Sequence, residues 1–214
     1  MMKLDLSLYL VTDRGLALAR PLQTIVEKAV KGGVTVIQLR EKDCSSREFL
    51  ELAIGLKRLL KPKGIPLIIN DRLDIALAAD ADGLHVGQSD LPWNTARHLL
   101  GRNKIIGLSV ESLEQAVEAN TADVDYIAVS PVFFTPTKTD TKMPFGIEGV
   151  HEVAAITRHP LVAIGGINHS NAQQVMAAGA DGIAVVSAIV SAPDPEKATR
   201  ELKNIIMRTK NEQG

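Results

Sequence analysis

The 214 residues predict a single α/β domain folded as a (β/α)8 TIM barrel, and three observations carry that expectation. One unit recurs along the chain: a short apolar run, a polar or glycine-containing loop, then a stretch at helical spacing. The chain also echoes itself. Ala79-Asp80-Ala81-Asp82-Gly83-Leu84-His85-Val86 resembles Ala178-Gly179-Ala180-Asp181-Gly182-Ile183-Ala184-Val185, and Asp123 to Val129 is a weaker third copy. Finally, no Gly-x-Gly-x-x-Gly follows the first apolar run, which ranks an open doubly wound sheet below a closed barrel.

Leu8 to Val11 is the first strand, closed by Thr12-Asp13-Arg14-Gly15, and a helix from Leu22 to Lys31 stops at Gly32-Gly33. Val34 to Leu39 is the second strand. Ser45 or Ser46 caps a helix from Arg47 to Leu60, which Pro62-Lys63-Gly64 ends. Pro66 to Ile69 is the third strand, followed by Asn70-Asp71-Arg72 and a short helix from Leu73 to Ala79. Gly83 to Val86 is the fourth, with Pro92 opening the helix Trp93 to Leu100. Lys104 to Leu108 is the fifth, ending at Ser109 before the helix Leu113 to Ala119. Tyr126 to Val129 is the sixth, followed by a long loop, Ser130 to Gly146, and a helix from Ile147 to Thr157. Leu161 to Ile164 is the seventh, ending at Gly165-Gly166 before the helix Asn171 to Ala178. Gly182 to Val186 is the eighth. A short helical piece, Ser187 to Val190, precedes the closing helix Glu196 to Met207.

The bulk numbers exclude several classes. A formal net charge of -1 with well-mixed charges gives no electrostatic case for nucleic acid or membrane partners. One cysteine, Cys44, rules out an internal disulfide, and no Cys/His cluster has zinc-site spacing. There is no signal-peptide pattern and no apolar run of transmembrane length, so a cytoplasmic protein is the expectation. Nothing in the sequence sets the oligomeric state, and a homo-oligomer is left open.

In a barrel the C-terminal strand ends converge on one mouth. Those positions collect Gln38, Arg40 and Lys42; Asn70 and Asp71; Asp90; Ser109; Thr135, Thr137 and Lys138; Gly165-Gly166; and Val186-Ser187. Charged residues that abruptly end a buried run must face something polar, and Arg40 and Lys42 are suited to an anion. Gly165-Gly166 and Val186-Ser187 fall in the loops after strands seven and eight, where barrels of this kind bind phosphate. The plain alternative is that the two glycines only turn the chain. Asp71 and Asp90 are like charges at successive strand ends and suit Mg²⁺ with substrate phosphate oxygens. Their plain alternative is helix capping at Leu73 and Pro92. Arg40, Lys42 and Lys138 beside a metal suggest a second anion the size of a pyrophosphate, although Lys138, like Lys142, also reads as a solvated loop lysine. Cys44 is expected to be inert, His85 an ordered barrel histidine rather than a base, and Trp93 a packing residue. His98, His151, His159 and His169 read as surface or loop residues.

The chain resembles the thiamine-phosphate synthase (thiamine-phosphate pyrophosphorylase) family. The matching segments are Tyr9-Leu10-Val11-Thr12-Asp13, Gln38 to Lys42, Asn70-Asp71-Arg72, His85 to Asp90, Gly107-Leu108-Ser109, Thr135 to Lys138, Ala163 to Ile167 and Ala180 to Ile189. They run in order from the first strand to the eighth. The resemblance implies condensation of a 4-amino-2-methylpyrimidine pyrophosphate with a carboxylated thiazole phosphate, giving thiamine phosphate, pyrophosphate and CO₂. It implies that Gln38 and Asn70 contact the pyrimidine. Arg40, Lys42, Ser109 and Lys138 then hold the pyrophosphate as the catalytic set, and Asp71 and Asp90 bind Mg²⁺. Thr135, Thr137, Gly166, Val186 and Ser187 hold the thiazole phosphate. The matched segments are carried over whole, so Leu39, Glu41 and Pro136 count as substrate-binding. Strand alternation nonetheless sends Leu39 into packing, and Glu41 has no assigned chemistry. The implied mechanism is dissociative, and the sixth loop is expected to close over substrate.

Three residues depart from the family pattern: Ser130 for a common glycine, Phe134 for a common proline and Glu111 for a common histidine. None carries an assigned role. The rivals are a thiazole tautomerase-like isomerase, a sugar-phosphate epimerase on a related barrel, and a non-catalytic phosphate-binding homologue. The retained Arg40, Lys42, Asp71, Asp90 and Lys138 argue against the first, the paired aspartates with Lys138 against the second, and the retained metal ligands against the third.

Overall fold

The computed structural model describes residues 4–135 and 143–213. Eight parallel strands close into a barrel in sequence order: β1 Leu8–Val11, β2 Val36–Leu39, β3 Leu67–Asn70, β4 Gly83–Val86, β5 Ile105–Val110, β6 Tyr126–Val129, β7 Leu161–Ile164 and β8 Gly182–Val185. β1 pairs with β8 through Tyr9 and Ala184, which closes the ring. The helices are α1 Leu22–Gly32, α2 Ser46–Leu60, α3 Leu73–Ala78, α4 Trp93–Leu100, α5 Leu113–Ala119, α6 Gly146–Ile156, α7 Ala172–Ala177, α8 Ser187–Val190 and α9 Pro195–Gln213. Among the described residues, no helix is long and apolar enough to cross a membrane.

Side-chain alternation along each strand separates two cores. Leu8, Leu10, Ile37, Leu39, Leu67 and Ile69 point outward and bury the helices' apolar faces. Tyr9, Val11, Val36, Ile68, Tyr126, Ala128, Val162 and Ala184 fill the barrel interior. The short strands are therefore apolar on both faces, as a parallel sheet covered by helices requires.

The internal echo has a physical cause. Asp82, just before β4, accepts the N–H of Leu67 at the start of β3 at 2.8 Å. Asp125, before β6, accepts the N–H of Ile106 in β5 at 2.7 Å, and Asp181, before β8, accepts that of Leu161 in β7 at 2.8 Å. Thr35 does the same for Leu8, through its hydroxyl at 3.1 Å. Each even strand is thus preceded by a side chain that satisfies a backbone donor at the start of the strand before it. The glycine after two of those aspartates is also required. A Cβ at Gly83 would meet the Ile105 carbonyl, and one at Gly182 the Leu6 carbonyl.

The element boundaries shift in a few places. β2 begins at Val36 rather than Val34, because the Val34 N–H is already taken by Ala29 in the turn that leaves α1. β5 runs on to Val110, so Ser109 lies inside the strand, opposite Ala128, rather than after it. α9 continues to Gln213, past Met207. Of the two candidate caps for α2, Ser45 is the one used; its hydroxyl accepts the Glu48 N–H at 3.2 Å.

Candidate active site

A cavity of ≈ 300 Å³ opens at the C-terminal ends of the strands. Its walls include Gln38, Arg40, Lys42, Asn70, Asp71, Asp90, Ser109, Thr135, Gly166, Val186 and Ser187, which come from loops and strand ends all around the ring. Pro136, Thr137 and Lys138, with Lys142, lie outside the described residues. Leu39 and Glu41 do not line the cavity. Leu39 is fully buried between the barrel and its helices. The Glu41 carboxylate turns outward to Arg14, whose Nε donates to it at 2.6 Å, while the same guanidinium reaches Glu48 at 2.5 Å. Period-two geometry explains both: Gln38, Arg40 and Lys42 share one parity, Leu39 and Glu41 the other.

The first two loops interlock. The Thr12 N–H donates to the Gln38 carbonyl at 2.9 Å, and the Arg40 N–H donates to the Thr12 hydroxyl at 3.1 Å. Arg40 also faces Asp13 at 3.5 Å. Lys42 Nζ lies 2.9 Å from Asp71 Oδ2. Cations and carboxylates therefore alternate on one wall of the mouth.

Asp71 has φ +62, a left-handed backbone uncommon for a residue with a side chain. Its N–H donates to the His85 carbonyl at 2.9 Å, and the next N–H, from Arg72, turns back to Asn70 at 2.7 Å. This tight turn at the end of β3 carries Asn70 and Asp71 into the cavity side by side. Neither aspartate caps a helix as the plain alternative had it; α3 and α4 have no side-chain cap. Asp90 Oδ2 instead accepts the Gly87 N–H at 2.8 Å. Burial pushes the Asp90 carboxyl above the usual range, and the neighbouring Asp71 carboxylate adds to that. Among the described residues no group of three or more His, Cys, Asp or Glu forms a metal cage. Two adjoining carboxylates on a polar wall do fit Mg²⁺, which keeps waters and takes its remaining oxygens from phosphates.

On the far side, Gly165 has φ +110 and Gly166 φ +67, and both pack under the loop after β6. A Cβ on Gly165 would lie 2.7 Å from Pro131 Cβ, and one on Gly166 2.8 Å from Phe133 Cβ. The glycines are therefore needed for more than a turn: they let the β6 and β7 loops touch. α8 starts at Ser187 facing the same space, and its first N–H groups precede any intrahelical acceptor.

The floor of the cavity carries residues that the sequence reading did not assign. Tyr9 and Tyr126 are 1% exposed, and their rings meet edge to face at 5.9 Å. Gln38 Nε2 donates to the Tyr9 hydroxyl at 2.9 Å, and the two hydroxyls are 2.8 Å apart. Tyr126 continues to His85 Nδ1 at 3.0 Å, and His85 Nε2 reaches Ser109 Oγ at 2.8 Å. Burial holds both phenols above their usual range, so they stay protonated. His85 is ordered, as expected, but it also touches a predicted site residue. Gly107 makes this possible, because a Cβ there would occupy the Tyr126 ring and the His85 side chain. That glycine, inside a strand, was the available signal of a close approach. Of the departures, Ser130 and Glu111 line the cavity and Phe134 is exposed. Cys44 stands off the cavity beside Glu41, and burial raises its thiol.

A family model described as thiamine monophosphate synthase matches residues 8–189. A thiamine-phosphate synthase from Leptospira biflexa serovar Patoc is 56% identical over 200 residues, covering 92% of this chain and 95% of the relative. The structure of a thiamine phosphate pyrophosphorylase from Pyrococcus furiosus superposes with a TM-score of 0.89 at 40% identity, covering 98% of this chain and 99% of that one. A 3-hexulose-6-phosphate synthase superposes with a TM-score of 0.69 at 20% identity, covering 93% and 99%, a likeness of fold alone.

Proposed function

The chain belongs to the thiamine monophosphate synthase family, and on that premise we propose how its mouth carries out the reaction. The activity is that of a thiamine-phosphate synthase, a transferase of thiamine biosynthesis that moves a pyrimidinylmethyl group onto a thiazole phosphate. The observation that supports the site reading is the single cavity shared by Gln38, Arg40, Lys42, Asn70, Asp71, Asp90, Ser109, Thr135, Gly166, Val186 and Ser187.

In this reading Gln38 and Asn70 orient the pyrimidine. Arg40, Lys42 and Ser109, with Lys138 by resemblance, bind its pyrophosphate. Thr135, Gly166, Val186 and Ser187 bind the thiazole phosphate, with Pro136 and Thr137 by resemblance. Asp71 and Asp90 would hold Mg²⁺, which as a Lewis acid neutralises charge on phosphate oxygens. The methylene C–O bond breaks first, and its electron pair leaves with pyrophosphate. The ring's amino group spreads the positive charge left on carbon. The thiazole nitrogen then supplies the pair for the new C–N bond, and loss of CO₂ follows when the thiazole is carboxylated. No protein nucleophile is required. The protein's work is to place donors where negative charge grows, and the fixed cations of the β2 loop do this without reorganising. The tautomerase reading has no use for a wall of Arg40, Lys42, Asp71 and Asp90. A cytoplasmic location is proposed from the phosphorylated substrates and the free Cys44.

The test is an assay with both substrates and Mg²⁺, scoring pyrophosphate and thiamine phosphate, repeated with EDTA. Both products should appear together and cease on chelation. Substrate binding without product would overturn the reading in favour of a non-catalytic homologue.

A further inference from the structure

Four hydrogen bonds join the two ends of the pyrimidine pyrophosphate site under its floor: Gln38 to Tyr9 at 2.9 Å, Tyr9 to Tyr126 at 2.8 Å, Tyr126 to His85 Nδ1 at 3.0 Å and His85 Nε2 to Ser109 at 2.8 Å. Each phenol owns one proton, and a run that starts from the Gln38 amide assigns a donor to each bond in turn. Gln38 donates to Tyr9. In that run Tyr9 gives its proton to Tyr126, and Tyr126 gives its own to His85 Nδ1. The imidazole is then the neutral Nε2–H tautomer and donates to Ser109 Oγ. We infer that this chain runs in one direction, and that Tyr9, Tyr126 and His85 are positioning residues that make Gln38 an acceptor and Ser109 a donor toward the bound pyrimidine pyrophosphate.

The consequence is a matched polarity at the two ends, resting on the roles given above to Gln38 and Ser109. With an N–H donated to Tyr9, Gln38 has its carbonyl oxygen to offer the substrate ring. That oxygen accepts from the ring's 4-amino group, whose protons become more acidic as the ring gains positive charge. With its oxygen accepting from His85, Ser109 keeps its own proton for the pyrophosphate, where negative charge grows. The reversed chain would set donor against donor at the amino group and lone pairs against the anion. Both contacts of the forward chain strengthen as the C–O bond breaks, which is the condition for speeding the step rather than only binding the substrate. The same polarity selects a 4-amino ring over a 4-oxo ring, which would meet the Gln38 carbonyl with an acceptor. The four linking residues are largely buried: Tyr9 and Tyr126 are 1% exposed, Gln38 5% and His85 7%.

The test is ¹⁵N NMR of the histidine side chains in the full-length protein without substrates at pH 7.5, with the His85 signals assigned by their loss in His85→Gln. The expected result is a pyridine-like Nδ1 and a pyrrole-like Nε2. A protonated Nδ1, alone or in a cationic ring, overturns the inference. In Tyr126→Phe the Nδ1 loses its donor, and the pure pattern should give way to a mixture of tautomers; an unchanged pattern overturns the coupling. The same variant should lose about tenfold in kcat, the worth of one neutral hydrogen bond, with KM for the thiazole phosphate unchanged. A fall confined to that KM counts against the inference. The tautomer is read without turnover. Absence of thiamine phosphate from the wild-type protein would sink the assigned activity alone, whereas the opposite tautomer in an active enzyme would sink only the polarity.

Discussion

Lys42 Nζ and Asp71 Oδ2 lie 2.9 Å apart, tying the loop after β2 to the turn that ends β3. The pair joins a proposed leaving-group cation to a proposed metal ligand. Half of the Lys42 side chain remains exposed, at 52%. A pair in such surroundings contributes at most about 1 kcal/mol to stability. The pair holds Lys42 at the cavity wall, where the proposed role needs it, instead of leaving it to range through solvent.

Replacing Lys42 with Met should therefore separate catalysis from folding. Loss of one donor to developing charge typically costs about 10²–10³ in kcat. Steady-state kinetics with saturating Mg²⁺ should show a loss of that size, while thermal unfolding shifts by no more than about 4 °C. Wild-type kcat, or an unfolded variant, would count against the assignment.

The two aspartates make a prediction about pH. Burial first, then Asp71, raises the Asp90 carboxyl above its unfolded value. The folded state consequently binds that proton more tightly than the unfolded state, and stability falls as pH rises from the unfolded value through the folded one. In the metal-free protein the adjoining Asp71 makes charge on Asp90 less favourable. Added Mg²⁺ should relieve this. At a hundredfold excess over Kd it contributes about 2.7 kcal/mol, roughly 5–10 °C for a chain of this size. The rise in Tm should appear at pH 7.5 and fade toward pH 4. Asp90→Asn should raise the metal-free Tm at pH 7.5 and abolish the Mg²⁺ shift; a shift that survives in this variant would remove Asp90 from the metal site.

These residues were legible because charge at the end of an apolar run is conspicuous. Arg40, Lys42, Asn70 and Asp71 each interrupt such a run, and closing the barrel brings them together. Tyr9 and Tyr126 were not legible for the opposite reason. In Leu8-Tyr9-Leu10-Val11 and Tyr126-Ile127-Ala128-Val129 an aromatic residue reads as core, and both tyrosines are core; their hydroxyls acquire meaning only when Gln38 and His85 arrive from other strands. Leu39 and Glu41 turn away from the cavity through parity, since side chains alternate along a contiguous motif. The fold itself was readable from the repeated Asp-Gly before a strand, although the reason for it, a carboxylate serving the neighbouring strand's first N–H, needs the register.

Gly166 should tolerate no side chain. Alanine in a left-handed backbone costs about 1–2 kcal/mol by itself. Gly64 has the same φ, +67, with nothing within 4 Å of a built Cβ, whereas Gly166 would press on Phe133 at 2.8 Å and on the Phe134 carbonyl at 3.0 Å. Gly64→Ala thus measures the backbone cost alone. Gly166→Ala should unfold at a temperature several degrees lower than Gly64→Ala and bind the thiazole phosphate at least tenfold more weakly by calorimetry. Equal Tm values for the two variants would mean that the β6 loop yields freely.

Arg14 and Glu41 give the opposite separation, stability without chemistry. The Glu41 side chain is 4% exposed, and its Oε2 is held by Arg14 at 2.6 Å. Burial raises the Glu41 carboxyl, and the guanidinium opposes that rise. Removing Arg14 leaves a buried carboxylate without its cation, and a lost hydrogen bond to a charged group costs about 1.5–3 kcal/mol. Arg14→Ala should therefore lower Tm by several degrees at pH 7.5. At lower pH, where Glu41 takes up a proton, the loss should shrink, because the neutral acid needs no counter-charge. Since this pair points away from the cavity, kcat and KM at 20 °C should stay within about twofold of wild type, well below the tenfold worth of about 1.4 kcal/mol at the reacting centre. A large change in KM for the pyrimidine pyrophosphate at full stability would place Glu41 in the substrate site.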